Sequence, residues 1–209
     1  MTWKEYIPQD IANLYEVHDF KHASAILANE FPEIHKEICQ ALRIFRFTEE
    51  DVKQAGGNES QIPKKFSNIL RPLGWEERQL KAKLVVDDKV IKIDTHKVDY
   101  IKDRIAFDME WNSKDQTYDR DLYAFRAFFE YDKISLGILV TRSTELDPWI
   151  ASLGSYTDKY GTARQYKSKY GASTTQMGKL LPRLNAGRNG GCPILVFGIT
   201  TKLIAKGEG

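Results

Sequence analysis

The segment formed by residues 98–111 constrains the fold of this 209-residue chain more than any other. From Ile105 onward, apolar residues occupy every second position, which is the period of a β-strand with one buried face. One face has Ile105, Phe107, Met109 and Trp111, and the other has Ala106, Asp108 and Glu110. Two acids therefore share one face of a single strand.

Residues 97–101 predict a second short strand, joined to the first by a tight turn. In the expected register Asp99 pairs with Ala106, so Asp99 lies on the same face as Asp108. Diagonal neighbours on antiparallel strands lie roughly 7–8 Å apart at Cα, so both carboxylates can reach one cation. We therefore expect the carboxylates of Asp99, Asp108 and Glu110 to converge on a small volume.

Such a cluster is costly unless a cation fills it, because acids that share a site cannot all ionise cheaply. Oxygen ligands suit Mg²⁺, which commonly takes one or two carboxylates together with waters and substrate phosphate oxygens. The predicted chemistry is metal-assisted phosphoryl transfer with one or two Mg²⁺ ions per site. The residues alone also fit a solvated edge hairpin, in which these acids pair with Arg104 or Lys97.

The stretch and its surroundings resemble the catalytic core of the BglII/BstYI group of type II restriction endonucleases, a branch of the PD-(D/E)xK nuclease fold. In that group an Asp is followed, after eight residues, by Glu-x-Gln. Here the same spacing gives Asp99 and then Asp108-Met109-Glu110. The resemblance extends to residues 14–17 and 31–38 near the start of the chain, and to residues 185–199 near its end.

The resemblance implies an α/β fold, with a central mixed β-sheet flanked by helices in one compact domain spanning residues 1–209. It also implies a homodimer that hydrolyses phosphodiester bonds of double-stranded DNA at a short palindromic site, related to GATC, alongside a cognate DNA methyltransferase. A two-fold protein matches a palindrome and brings one active site to each strand. Asp99 and Asp108 would bind Mg²⁺, and Glu110 would bind metal or activate the attacking water.

Two positions depart from the family pattern. Asp108 stands where the family has Glu, and Glu110 stands where it has Gln, or Lys in the broader fold. A Glu cannot supply the positive charge of a Lys, so Glu110 would bind metal or act as a base. The number of metals and the identity of the base therefore stay open. The alternatives are a catalytically silent, sequence-specific DNA-binding protein and an unrelated module that binds carbohydrate or a small ligand.

Glu37 is a further candidate ligand. Residues 32–45 predict an amphipathic helix that begins at Pro32, and Glu37 lies on it. In several nucleases of this broad fold an acid from the first helix joins the metal site. An acid that is solvated or paired with a Lys is the alternative.

Two regions are predicted to contact DNA, residues 112–117 and 152–191. The first is a polar turn that leaves the acidic strand, and its side chains can reach bases or backbone; the resemblance supports this, since the BglII group reads bases with a Ser-Asn pair there. The second interleaves basic and aromatic residues, which suits phosphate contacts. An N-capping turn and a solvated loop are the respective alternatives. The candidate contacts are Asn112, Ser113, Lys114, Tyr156, Lys159, Arg164, Lys167, Lys169, Arg183 and Arg188.

Composition gives weaker constraints. The formal net charge is only +2, with a pI near 8.4, so DNA affinity must come from local clusters of charge. Cys39 and Cys192 lie in apolar runs, which predicts buried free thiols. We find neither a membrane-length apolar run nor a signal peptide, and we expect a cytoplasmic protein.

Periodicity predicts the remaining elements, with boundaries set by capping and breaking residues. We expect strands at 11–17, 81–86, 90–94 and 134–140, and helices at 20–29, 63–70, 118–131 and 173–181. A short helix should begin after Thr48, with Asp51 at the capping-box position, and end at Gly56-Gly57-Asn58. Pro182 should weaken or end the last helix.

Overall fold

The computed structural model describes residues 2–54, 60–158 and 160–205. The helices are α1 (Gln9–Leu14), α2 (Ala23–Glu30), α3 (Pro32–Ile44), α4 (Glu49–Lys53), α5 (Gln61–Leu70), α6 (Thr117–Glu130), α7 (Leu146–Ser152) and α8 (Met177–Asn185). The strands are β1 (Tyr15–Phe20), β2 (Glu76–Val86), β3 (Lys89–Lys102), β4 (Ile105–Glu110), β5 (Leu136–Arg142), β6 (Ser155–Thr157), β7 (Ala163–Gln165) and β8 (Ile194–Ile199). Short 3₁₀ turns complete the described elements.

A six-stranded mixed sheet with the order β1-β8-β5-β4-β3-β2 forms the centre of the protein. The central strands β4, β5 and β8 are parallel and buried along their whole length. Strands β1, β3 and β2 add antiparallel pairs on the two sides. Parallel strands need a crossover, and α6 supplies it between β4 and β5. The carboxyl ends of β4 and β5 therefore lie at the same edge of the sheet.

Helices cover both faces of the sheet. On one face α3 and α5 pack on Phe107, Met109 and Trp111. On the other face α6 and α8 pack on Ala106 and Leu139. The α/β class, with a mixed sheet between helices, is thus confirmed, and Asp108 and Glu110 lie on the α6 side because side chains alternate along β4.

The predicted register of the β3–β4 hairpin is wrong by two residues. Lys102 pairs with Ile105 and Ile101 with Ala106, so the turn is Asp103-Arg104, not Lys102-Asp103. Asp103 adopts a positive φ of 50°, a backbone conformation that Asp tolerates in tight turns. The regular ladder stops at Tyr100, and Asp99 comes to lie beside Asp108 itself, not diagonal to it.

Other boundaries differ for tertiary reasons. Residues 9–14 are helical, and the first strand begins only at Tyr15, because β8 ends at the partner residue Ile199. The two short strands predicted at 90–94 and 97–101 form the single strand β3, which crosses two register shifts against β2. Helix α8 begins later than predicted and continues through Pro182. Proline has no N–H to donate to the carbonyl of Gly178, four residues earlier, but Gly178 and Pro182 are both exposed, so water can reach that carbonyl.

Several local predictions are confirmed. Thr48 caps α4, and Asp51 completes the capping box. Both cysteines are buried and free, and burial raises the pKa of Cys39 to about 11 and that of Cys192 to about 12. The turn predicted at residues 56–58 lies outside the described residues. None of the helices in the described ranges is long and apolar enough to cross a membrane.

Gly137 in β5 is required by the close approach of α6. A Cβ at this position would lie 2.4 Å from Phe125 Cδ2 and 3.0 Å from Ile194 Cδ1. We expect Gly137→Ala to lower the free energy of unfolding by about 1–3 kcal/mol, because overpacking a filled core forces neighbours to shift. Urea unfolding followed by circular dichroism measures this change.

Gly171→Ala is the matched control for Gly137→Ala. Its added Cβ would meet only Ser168 O, at 3.7 Å, an ordinary contact. Both substitutions restrict the unfolded chain in the same way, so their difference isolates packing against α6. Equal stability of the two variants would contradict a close contact between β5 and α6.

Candidate active site

The acidic strand β4 ends where α6 docks on the sheet. The hydroxyl groups of Tyr118 and Thr141 are 2.6 Å apart, and Thr141 donates a hydrogen bond of 2.8 Å to the backbone oxygen of Glu110. These groups are buried, so the chain of hydrogen bonds is protected from water. It fixes the first turns of α6 beside the carboxyl end of β4.

Asp108 is the most buried acid of the predicted set, with 2% of its surface exposed. Its Oδ1 accepts a 2.6 Å hydrogen bond from the backbone N–H of Asp99, and its Oδ2 has no hydrogen-bond partner. Burial raises the pKa of Asp108 well above its usual range, and the negative charges of Asp99 and Glu110 raise it further. A buried carboxylate of this kind favours a proton or a cation.

Glu110, the last residue of β4, has 8% of its surface exposed. Burial raises its pKa to about 7, a hydrogen bond from the Ser113 side chain opposes the rise, and the charge of Asp99 adds to it. Its Oε2 is buried without a hydrogen-bond partner. A carboxylate with a pKa near neutrality has the basicity that a general base needs.

Asp99 is only half-buried and lies where β3 departs from regular pairing. The register of β2 against β3 shifts between the pairs Glu76↔Ile101 and Arg78↔Val98, a span that includes Asp99. Irregularities of this kind re-aim side chains near functional sites. Its charge acts on the pKa of Asp108 and of Glu110, which places all three predicted acids in one neighbourhood.

A fourth acid, Asp121 on α6, joins this neighbourhood and was missed by the sequence analysis. It has 3% of its surface exposed, and its Oδ2 is buried without a hydrogen-bond partner. Burial and the charges of Asp108, Glu110 and Asp99 raise its pKa well above the usual range. The signal was present in the sequence: Asp121 falls on the apolar face of α6, one turn after Tyr118.

Asp99, Asp108, Glu110 and Asp121 are near one another, but their side chains are not arranged as metal ligands. Among the described residues, no group of three or more His, Cys, Asp or Glu side chains is arranged so that it could hold a metal ion. The expected convergence of carboxylates is therefore only partial, and one oxygen of Asp108 is already engaged by the Asp99 backbone. The donor set still fits a hard cation, because Asp108, Glu110 and Asp121 each keep one buried, unpartnered oxygen.

Glu37 lies on the other side of the sheet. Its carboxylate accepts hydrogen bonds from Lys102 Nζ at 2.6 Å and from Trp75 Nε1 at 3.2 Å. Trp75 packs on Phe107, which faces away from Asp108 along β4. The structure thus gives Glu37 the Lys-paired role that was its alternative interpretation and does not bring it to the other acids.

The predicted turn after β4 is exposed and is tied to a second segment. Asn112, Ser113 and Lys114 are all exposed. Lys114 forms an isolated bridge with Thr174, and the N–H of Thr175 donates to Ser113 O at 2.9 Å. The turn and residues 173–175 therefore form one rim beside Glu110.

Arg142, the last residue of β5, connects this rim to the central sheet. It is fully buried at the end of β5 and donates hydrogen bonds to Asp147 and to Thr174 Oγ1, at 3.0 and 3.1 Å. Its guanidinium lies over the ring of Tyr170, 5.2 Å from the centroid. Because a charged side chain on a central strand holds the rim, residues 170–175 are fixed to the sheet.

The basic and aromatic segment makes contacts of its own. Lys169 Nζ lies over the ring of Tyr156, 4.3 Å from the centroid, and donates to Lys53 O at 2.9 Å. Arg164 pairs with Asp158 at 2.9 Å. Lys167 is exposed, and Lys159 lies outside the described residues. Lys169 therefore also connects this segment to α4.

Arg183 and Arg188 are paired with acids in this structure. Arg183 forms ion pairs with Asp119 at 3.1 Å and with Asp115 at 3.4 Å, and Arg188 also forms an ion pair with Asp119. These ion pairs connect α8 to the start of α6 and to the polar turn. Both arginines thus hold elements around the site, and only Arg188 is exposed.

Comparison with known protein families identifies the chain's relatives. Residues 15–199 match the family described as restriction endonuclease BglII/BglIII, a span that runs from the first residue of β1 to the last residue of β8. The chain belongs to the restriction endonuclease BglII/BglIII family. It is accordingly a site-specific deoxyribonuclease of the BglII type, which binds and cleaves DNA. Comparison with individual curated proteins finds no match.

The raised pKa of Glu110 gives a testable dependence of stability on pH. Below about pH 4.5 the carboxyl is protonated in both states, whereas between pH 4.5 and about 7 only the folded state keeps the proton. The free energy of unfolding therefore falls as pH rises through this window. We expect Glu110→Gln to abolish this component, so that the variant gains about 2–3 kcal/mol over the wild type between pH 5 and pH 8.

Urea unfolding in EDTA at several pH values measures this difference. Glu130→Gln is the control, because Glu130 lies on the far end of α6 in an exposed ion pair with Arg126. Its pH profile should run parallel to that of the wild type. A parallel profile for Glu110→Gln as well would show that Glu110 is not held in a dry, negatively charged environment.

Proposed function

We propose that this endonuclease uses Mg²⁺ to hydrolyse DNA at a short palindromic site. The observation that supports the proposal is the set of acids at the carboxyl end of β4, where Asp108 and Glu110 are buried and each keeps an unpartnered oxygen. Unpaired buried carboxylates are expensive in a structural role. Asp108 and Glu110 would hold a divalent cation that compensates their negative charge.

The three predicted acids have distinct roles in this proposal. Asp99 and Asp108 would hold the cation, and Glu110 would hold it or take a proton from the attacking water. When bound, Mg²⁺ supplies charge stabilisation at the phosphate and lowers the pKa of a coordinated water. Ser113 orients the Glu110 carboxylate through its hydrogen bond.

DNA lies across the rim in this proposal. Asn112, Ser113 and Lys114 are exposed beside Glu110, where they can reach base edges or phosphates. The phosphate contacts come from residues 152–191. The proposed contacts are Tyr156, Lys159, Arg164, Lys167, Lys169, Arg183 and Arg188. For Arg164, Arg183 and Arg188 the ion pairs with Asp158 and Asp119 must open first. For Lys169 and Tyr156 the contact between the ammonium and the ring must open. The whole chain acts as one catalytic domain with these loops within it.

The partners follow from the reaction. A palindrome presents two equivalent strands, so a homodimer brings one active site to each. A GATC-related site is the proposed target. A cognate DNA methyltransferase would protect the host genome, and the enzyme would act in the cytoplasm with its thiols reduced.

Plasmid cleavage with matched variants tests the metal role of Asp99. We expect discrete fragments with Mg²⁺ and none with EDTA. Asp99→Asn should lower the cleavage rate by more than about 100-fold. Even mutation of a residue that only hydrogen-bonds to a metal ligand lowers metal affinity or activity by about 10- to 100-fold. Asp103→Asn is the control: it removes one acid from the same hairpin, at an exposed turn position that Asn also tolerates.

Each alternative outcome has its own meaning. Cleavage that persists in EDTA or in Asp99→Asn would contradict the proposed metal site. Specific DNA binding without any cleavage would instead indicate a catalytically silent member of the family. Mapping the fragment ends identifies the recognition sequence, and an asymmetric sequence would contradict the palindrome and the two-fold dimer.

A further inference from the structure

Helix α6 places one acid on its buried face. Asp121 lies among the apolar residues Tyr118, Leu122 and Phe125, which pack on the sheet. One carboxylate oxygen, Oδ2, has no hydrogen-bond partner, although 97% of the residue surface is buried. Removing a buried charge from water costs several kcal/mol unless a partner compensates. A helix that only needed to pack would be more stable with an apolar residue here.

The docking of α6 aims Asp121 at the acidic strand. Tyr118, one turn earlier, is fixed by its hydroxyl to Thr141, and Thr141 is bonded to the backbone of Glu110. Residues three apart on a helix lie on the same side, so Asp121 faces the same edge as Tyr118. The charges of Asp108, Glu110 and Asp99 all act on Asp121. Its carboxylate thus faces the three predicted acids across the interface between helix and sheet.

We propose that Asp121 is a fourth carboxylate of the divalent-cation site of this endonuclease. The inference rests on the proposed metal-dependent reaction and extends it by one residue on a different element. The unpartnered oxygens of Asp108, Glu110 and Asp121 are buried donors available to cations, in addition to the carboxylate of Asp99. Since Mg²⁺ usually takes only one or two protein carboxylates, this set is large enough to serve more than one ion.

Cation binding must draw these carboxylates together, because they are not yet arranged to hold a metal ion. The backbone of α6 is already fixed beside β4 by the hydrogen bonds that link Tyr118, Thr141 and Glu110. Asp108 can offer Oδ2 while Oδ1 keeps its hydrogen bond from Asp99. Neutralising the mutual repulsion of four acids would favour the gathered arrangement.

Binding of Mn²⁺ to the full chain tests the proposal without relying on catalysis. The electron paramagnetic resonance signal of free Mn²⁺ gives its affinity for the wild type, Asp121→Asn, Asp99→Asn and Glu130→Gln. Asn keeps the size of Asp but removes the charge. We expect Asp121→Asn to weaken Mn²⁺ binding by about 10- to 100-fold, and Glu130→Gln, at the far end of the same helix, to leave it unchanged.

A second readout uses the Mg²⁺ concentration that gives half-maximal plasmid cleavage, which should rise for Asp121→Asn and not for Glu130→Gln. Thermal unfolding in EDTA verifies that each variant is folded. If Asp121→Asn does not fold, Asp121→Ser takes its place, because the smaller side chain cannot overpack the helix.

The outcomes separate this proposal from the proposed function. If Asp99→Asn loses Mn²⁺ affinity while Asp121→Asn keeps it, Asp121 is a buried packing residue and the proposal is overturned, but the metal-dependent reaction stands. If the wild type neither binds Mn²⁺ nor cleaves DNA with Mg²⁺, the proposed function fails, and the role of Asp121 fails with it.

Discussion

The rest of this structure must be stable enough to tolerate the repulsion among its buried carboxylates. Asp108, Glu110 and Asp121 are each more than nine-tenths buried, and each has an oxygen without a hydrogen-bond partner. Such groups destabilise the folded state when they ionise. The surrounding sheet must therefore be stable enough to hold them. The parallel strands β4, β5 and β8, buried on both faces, provide that stability.

The side proposed to face DNA depends on the same framework. The polar turn after β4 and residues 173–175 form one rim, and Arg142 fixes that rim from a central strand. Arg183 then connects α8 to α6 and to the turn. Groups that would contact DNA are therefore held by the elements that hold the acids. This coupling suits an enzyme that must align the phosphodiester bond with its proposed active site.

Sequence periodicity predicted the acidic strand because alternation is a local property. Burial of Phe107 on one face and Asp108 on the other follows directly from a two-residue repeat. The register of the hairpin could not be fixed this way. Turns at Lys102-Asp103 and at Asp103-Arg104 both satisfy the local sequence, and the choice depends on packing of the whole strand. Likewise, the first strand begins at Tyr15 because β8 offers no partner earlier.

The sequence by itself determined the α/β class, the spacing of Asp99, Asp108 and Glu110, and a resemblance that the family match confirms. These features are encoded by residues close together in the chain. Tertiary structure alone decided that Asp121 joins the acids, that Glu37 pairs with Lys102 across the sheet, and that Arg183 bonds Asp119. Each of these depends on which face of a helix meets the sheet, and that is set by the packing of distant segments, not by any local pattern.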